Sequence, residues 1–116
     1  MINNLRKQMD MSIESFWVIL INNADEILGY KKIGDGTINF CQVDFRKMMR
    51  TIINVDDCSK VVISHNHPSG SLIPSKDDID ITYKIKLMLN EIKVKLTDHV
   101  IVTDNYHYSF KANGGI

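Results

Sequence analysis

An α/β domain is the fold class these 116 residues predict, and three observations predict it. The run Phe16-Trp17-Val18-Ile19-Leu20-Ile21 is continuously apolar and rich in aromatic and β-branched residues, as a central strand buried on both faces requires. Two segments, near 45–52 and 81–92, repeat apolar residues at helical three- and four-residue spacing. Strand-like segments stand before, between and after them, an order that packs helices against a sheet.

Taken in order, residues 1–12 are polar with scattered apolar side chains and read as a short helix or an N-terminal arm ahead of a single domain over 13–116. After the run at Phe16, the polar Asn22-Asn23-Ala24-Asp25 is a turn that returns the chain as a second, antiparallel strand from Ile27 to Ile33. Gly34-Asp35-Gly36 breaks that strand, and Thr37 to Phe40 follows as a short extended piece. Between Val43 and Val55, Phe45, Met48, Met49 and Ile52 make a helical stripe, Arg46, Lys47 and Arg50 take other faces, and Asp44 is placed to cap the start. Val61-Val62-Ile63 is a further apolar strand. At Ser75-Lys76-Asp77-Asp78 a side-chain acceptor is followed by acids in the first turn, as a helix N-terminus favours, with Ile81, Ile85, Met88 and Ile92 as the expected buried stripe. Leu96 to Thr103 and Tyr106 to Phe110 close the sheet around a turn at Asp104-Asn105. Internal repeats and low-complexity stretches are lacking.

Composition narrows the class of function. With 44% hydrophobic and 24% charged residues the chain is the size of one domain with one core. It has no apolar run near 18 residues and no signal-peptide pattern in its first residues, so it is read as soluble and cytoplasmic, without a membrane partner. Lys plus Arg equals Asp plus Glu at 14 each, which gives no electrostatic footprint for nucleic acid. The basic face Arg46, Lys47, Arg50 reads as solvated. Cys41 and Cys58 are far apart and outside any C-x-x-C spacing, which suits a reduced pair.

The chemistry concentrates in Ser64-His65-Asn66-His67-Pro68-Ser69-Gly70. On extended backbone side chains alternate, so His65 and His67 point the same way and can share a cation while Asn66 points to the opposite face. Asp78 stands eleven positions after His67, with Pro68, Gly70 and Pro74 to turn the chain back. Three ligands and one open position are the pattern of a catalytic zinc site, one zinc per chain; structural zinc sites have four, usually including cysteine. Pro68, Ser69 and Gly70 shape the turn. Trp17 is expected in the core.

Those residues, with Pro74-Ser75 before Asp78, resemble the JAMM zinc motif of JAB/MPN domains. Gly36-Thr37, the His-Asn-His-Pro-Ser-Gly wording and Asp98-His99-Val100-Ile101-Val102 are similar, more narrowly, to the RadC-like branch, whose name is attached to DNA repair; the similarity runs from about Glu14 to Ser109. The resemblance implies a three-layer MPN (JAB)-like fold, a cytidine-deaminase-like arrangement with a mixed curved sheet flanked by helices and zinc at the end of the sheet. It implies a glutamate before an early strand as general base, which selects Glu14 from Glu14, Glu26 and Glu91. It makes Ser75 a donor to the tetrahedral oxyanion, although Ser75 is equally well placed to be the helix N-cap. It gives His99 a structural role or one behind the metal ligands. Members often have Pro-Arg-Glu where this chain has Phe45-Arg46-Lys47, and longer members carry a helix-hairpin-helix region ahead of the domain.

The function expected is that of a zinc-dependent metallohydrolase of the JAMM type, a peptidase or isopeptidase using zinc-activated water on a protein or peptide. Other readings are a DNA-repair-associated accessory or DNA-binding module with a vestigial or structural metal site, and a metal-dependent nuclease. The set Glu14, His65, His67, Ser75 and Asp78 favours the hydrolase, because a degenerate site has no chemical reason to keep both base and open coordination.

Overall fold

Strand β1 (Ser15–Ile21) is the hub of the molecule in the computed structural model, which describes residues 1–36 and 43–116. Every residue of β1 is buried, because both faces of this strand are covered. On one side it pairs antiparallel with β2 (Ile27–Asp35), and on the other antiparallel with β3 (Lys60–Asn66). Strand β3 runs parallel to β4 (Lys95–Val102), and β4 is antiparallel to the short β5 (His107–Ser109). Among the described residues the sheet order is β2-β1-β3-β4-β5, five strands in a mixed sheet.

Strand alternation sorts the core into two halves. Phe16, Val18 and Leu20 share one half with Val61 and Ile63 of β3, and this face is covered by α2 (Phe45–Ile53) through Met48 and Ile52 and by α3 (Lys76–Glu91) through Ile81, Ile85 and Leu89. Trp17, Ile19 and Ile21 face the other way with Val62, Val100 and Val102, under Leu5 and Met9 at the end of α1 (Ile2–Gln8). Helices on both faces give three layers, the expected α/β class. Trp17 is 7% exposed, a core residue as expected.

Local chemistry explains the elements. Asn22 Oδ1 accepts from the backbone N–H of Ala24 and Glu26, closing the hairpin between β1 and β2, and Asp25 takes the left-handed conformation that a short polar side chain tolerates (φ 62°). Asp44 caps α2, accepting from Lys47 N–H at 2.9 Å. Helix α3 is the crossover that the parallel pair β3/β4 needs.

Several boundaries differ from the sequence reading. Gly34 and Asp35 do not break β2; they pair with Phe16 and Ser15, and a bulge between Phe16 and Trp17 turns Ile33 into the core. The stripe of α3 is Ile81, Ile85 and Leu89 in place of Ile81, Ile85, Met88 and Ile92. Once Asp78 and Thr82 are buried, the 100° advance per residue carries that face to Leu89, and the helix ends before Ile92, which is its C-cap. Tyr106 is not in β5 but in the turn, its carbonyl accepting from Thr103 N–H. The extended piece at Thr37 to Phe40 and the thiol of Cys41 lie outside the described residues. Cys58 is a free thiol, its ionisation pushed up by burial. Among the described residues, no helix is long and apolar enough to cross a membrane.

Candidate metal centre

Strand parity decides which face receives the histidines. His65 lies two and four residues after Ile63 and Val61, so its ring enters the half of the core covered by α3. It is fully buried. His67 lies one residue beyond β3, yet its N–H donates to Val102 C=O at 3.0 Å, which continues the extended course and keeps its ring on the side of His65. The chain then turns at Gly70, whose N–H donates to His67 C=O and whose φ of 84° needs glycine. That turn brings Ser71 C=O 2.8 Å from His67 Nδ1. A carbonyl only accepts, so Nδ1 carries the proton and Nε2 faces inward.

The other wall is the first turn of α3. Ser75 and Asp78 form a reciprocal capping box: Ser75 Oγ accepts from Asp78 N–H at 3.0 Å, and Asp78 Oδ2 accepts from Ser75 N–H at 2.8 Å. The box fixes the Asp78 carboxylate against both imidazoles, with Oδ1 3.2 Å from His65 Nε2 and Oδ2 3.5 Å from His67 Nε2. The two Nε2 atoms are 2.9 Å apart. Register with β3 brings the start of β1 to the same end of the sheet, Phe16 opposite His65. Partly exposed Glu14 therefore offers a carboxylate oxygen, and Glu14, His65 and His67 present ligand atoms that all lie within 4.8 Å of one another.

The electrostatics follow from these contacts. Burial pushes the Asp78 carboxyl up, but the two imidazoles set against it, and the positive charge they can carry, outweigh that and hold the group well below the ordinary carboxylate range. The Asp78 contact in turn raises His67, against the opposing effect of its partial burial. His99 is pushed well below the ordinary histidine value by complete burial, reinforced by the neighbouring His65.

The structure accommodates the remaining sequence candidates as follows. Asn66 is buried on the opposite face, where Oδ1 accepts from Ser15 N–H and Oγ–H and its amide donates to Ile13 C=O. Ser15 Oγ also accepts from Trp17 Nε1–H, so this network anchors the strand end that carries Glu14. Pro68, Ser69 and Gly70 form the exposed turn, where Ser69 Oγ accepts from Ser71 N–H. His99 lies on β4 behind His65, with Nε2 2.8 Å from His65 Nδ1. Sequence reading missed Thr82, whose Oγ1 is 2.6 Å from His99 Nδ1. Its signal was available in the spacing, since Thr82 is four residues after Asp78 and shares its helix face.

The donor set suits zinc. Two inward Nε2 atoms and a buried carboxylate are the ligand types zinc takes, and 2.9 Å is close to the roughly 3.3 Å separating two nitrogens on one tetrahedral zinc.

The family model described as "RadC-like JAB domain" matches residues 1–115. The chain is 36% identical to the "UPF0758 protein" of Flavobacterium johnsoniae over 101 residues, covering 87% of this chain and 44% of the relative. It is 35% identical to the "UPF0758 protein" of Clostridium beijerinckii over 105 residues, covering 90% of this chain and 45% of the relative. The chain thus spans less than half the length of these relatives.

Proposed function

Because the chain belongs to the RadC-like JAB domain family, we propose that it is a zinc-dependent metallohydrolase of the JAMM type, cleaving an amide or isopeptide bond in a protein or peptide. One observation carries the reading: two imidazole Nε2 atoms approach to 2.9 Å against one buried carboxylate. Nitrogen lone pairs so close repel unless a positive charge lies between them. Either a proton or a metal ion supplies it, and two imidazoles with a carboxylate select zinc over magnesium or calcium.

The two carboxylates divide by position. Asp78 is 2% exposed and fixed by its capping box, which suits a ligand. Glu14 is partly exposed at the rim, where water reaches it, which suits a base. When bound, zinc supplies a charge that lowers the pKa of a coordinated water toward ~7 and polarises the scissile carbonyl. Glu14 accepts the proton of the attacking water and returns it to the leaving amine. Ser75 donates its O–H to the developing oxyanion. Cap and donor are compatible in one hydroxyl, because accepting from Asp78 N–H leaves the Ser75 proton free. A cytoplasmic setting accords with the free thiol of Cys58.

The first test is elemental analysis of tag-free protein beside His67→Ala. One zinc per wild-type chain, lost in the variant, is the expected result; a metal-free wild type after equilibration with zinc would end the reading. Peptide, isopeptide and DNA substrates follow. DNA cleavage at low salt that disappears in His67→Ala would replace the peptidase with a nuclease.

A further inference from the structure

The two histidines obtain their inward lone pairs by different routes. His67 is oriented directly, by the Ser71 carbonyl at its Nδ1. His65 is buried between β3 and α3, and its Nδ1 meets the side chain of His99. A histidine neighbour alone does not determine which nitrogen carries the proton, since either ring can donate.

Resting on the zinc reading above, we infer that Thr82 and His99 are positioning residues that fix the tautomer of His65, so that its Nε2 reaches the metal centre as a bare lone pair. The direction is set at the Asp78 main-chain carbonyl, which has no proton to give. Thr82 Oγ1 lies 2.6 Å from it and donates its single hydroxyl proton there, the usual bond of a helical threonine to the carbonyl four residues back. With that proton engaged, Thr82 Oγ1 acts as an acceptor toward His99 Nδ1 at 2.6 Å, so Nδ1 carries a hydrogen. His99 is completely buried, its ring stacked on Phe110 with centroids 4.5 Å apart and planes 8° from parallel. Its ring nitrogens meet a hydroxyl and an imidazole, neither of them anionic, and an unpaired cation in such a place is too costly to desolvate. His99 is therefore neutral with a bare Nε2. That nitrogen accepts from His65 Nδ1–H at 2.8 Å, and His65 Nε2 is left without a proton, facing His67 and Asp78.

The chain of bonds has one direction, and its origin is the main chain of a second proposed ligand. Asp78 thus acts twice, through its carboxylate at the centre and through its carbonyl behind His65. The regular geometry of α3 orients Thr82 without any special turn, and β4 brings His99 to the same face as His65, with His99 opposite Ile63 in the register. Partners behind metal-bound histidines commonly change metal affinity 10- to 100-fold when removed.

The test reads tautomers and metal affinity separately. In zinc-free protein with 15N-labelled histidine, two-bond correlation spectra of the wild type should show His65 and His99 both protonated at Nδ1. Thr82→Val, nearly the same shape without the hydroxyl, should lose the single His99 tautomer and bind zinc 10- to 100-fold more weakly in competition with a chromophoric chelator. Thr82→Ser should restore both. His65 protonated at Nε2 in the wild type would overturn the inference without any variant having to fold. So would a Thr82→Val protein with lower thermal stability but wild-type zinc affinity, the signature of a merely structural hydroxyl. The predicted tautomers in a wild type that takes up no zinc would overturn the metal reading, and with it the role assigned to Thr82, while leaving the direction of the hydrogen bonds intact.

Discussion

Glu14 and His65 differ in what their loss should do, because one is partly exposed at the rim and the other is buried among the nitrogen and oxygen donors. Glu14→Gln keeps the shape and removes the proposed base, so zinc should remain at one per chain while hydrolysis disappears. Unchanged turnover in that variant would remove Glu14 from the proton transfer. His65→Ala should lose both metal and activity. Ser75 has one observed role and one proposed: its hydroxyl caps α3, worth about 1 kcal/mol, and the proposed donation to the oxyanion would be worth about a hundredfold in rate. Ser75→Ala should therefore retain zinc and lower both the unfolding midpoint and turnover; a drop in stability alone would leave only the cap. The histidine pair and its aspartate were legible from spacing. That the Ser75 oxygen serves the cap was one of two roles the sequence left open, and the backbone geometry at Asp78 decided it.

Helix α3 links the core to the site, since Asp78 and Thr82 share a face with Ile81, Ile85 and Leu89. Periodicity identified the helix, but a stripe read from apolar residues alone drifted to Met88 and Ile92. The polar pair Asp78 and Thr82 belongs to the buried face, and hydrophobicity gives them no weight. Leu89→Ala should cost about 2–5 kcal/mol in urea unfolding, and Met88→Ala clearly less. Equal costs would contradict the observed orientation of the helix. Strand β2 shows a similar limit: Gly34 and Asp35 look like a break, yet the bulge opposite Phe16 and Trp17 carries the strand past them and buries Ile33. A bulge depends on the partner strand, so a single strand's sequence does not announce it.

Across the whole molecule, the site contributes to stability with a definite pH dependence. In the metal-free protein His67 is raised above its ordinary 6.5 by Asp78, so its contribution is complete below that value and is lost as pH rises through the folded value. Asp78 is lowered from 3.8, so its contribution is present above 3.8 and is lost as pH falls through its folded value. At the proposed centre zinc would take the His67 nitrogen that the proton occupies. The rise in melting temperature on adding zinc should thus be larger at about pH 8 than at about pH 6, and the same rise at both would mean that no proton is displaced. The sequence by itself determined the α/β class, the doubly buried strand, two helices and the donor types at the candidate metal centre, because periodicity and short-range spacing are properties of the chain alone. Only the tertiary structure decided that β3 runs parallel to β4 beneath α3, bringing His99 behind His65 and Thr82 behind His99. Those contacts span 34 and 17 residues, and nothing local specifies them until the sheet and helix pack together.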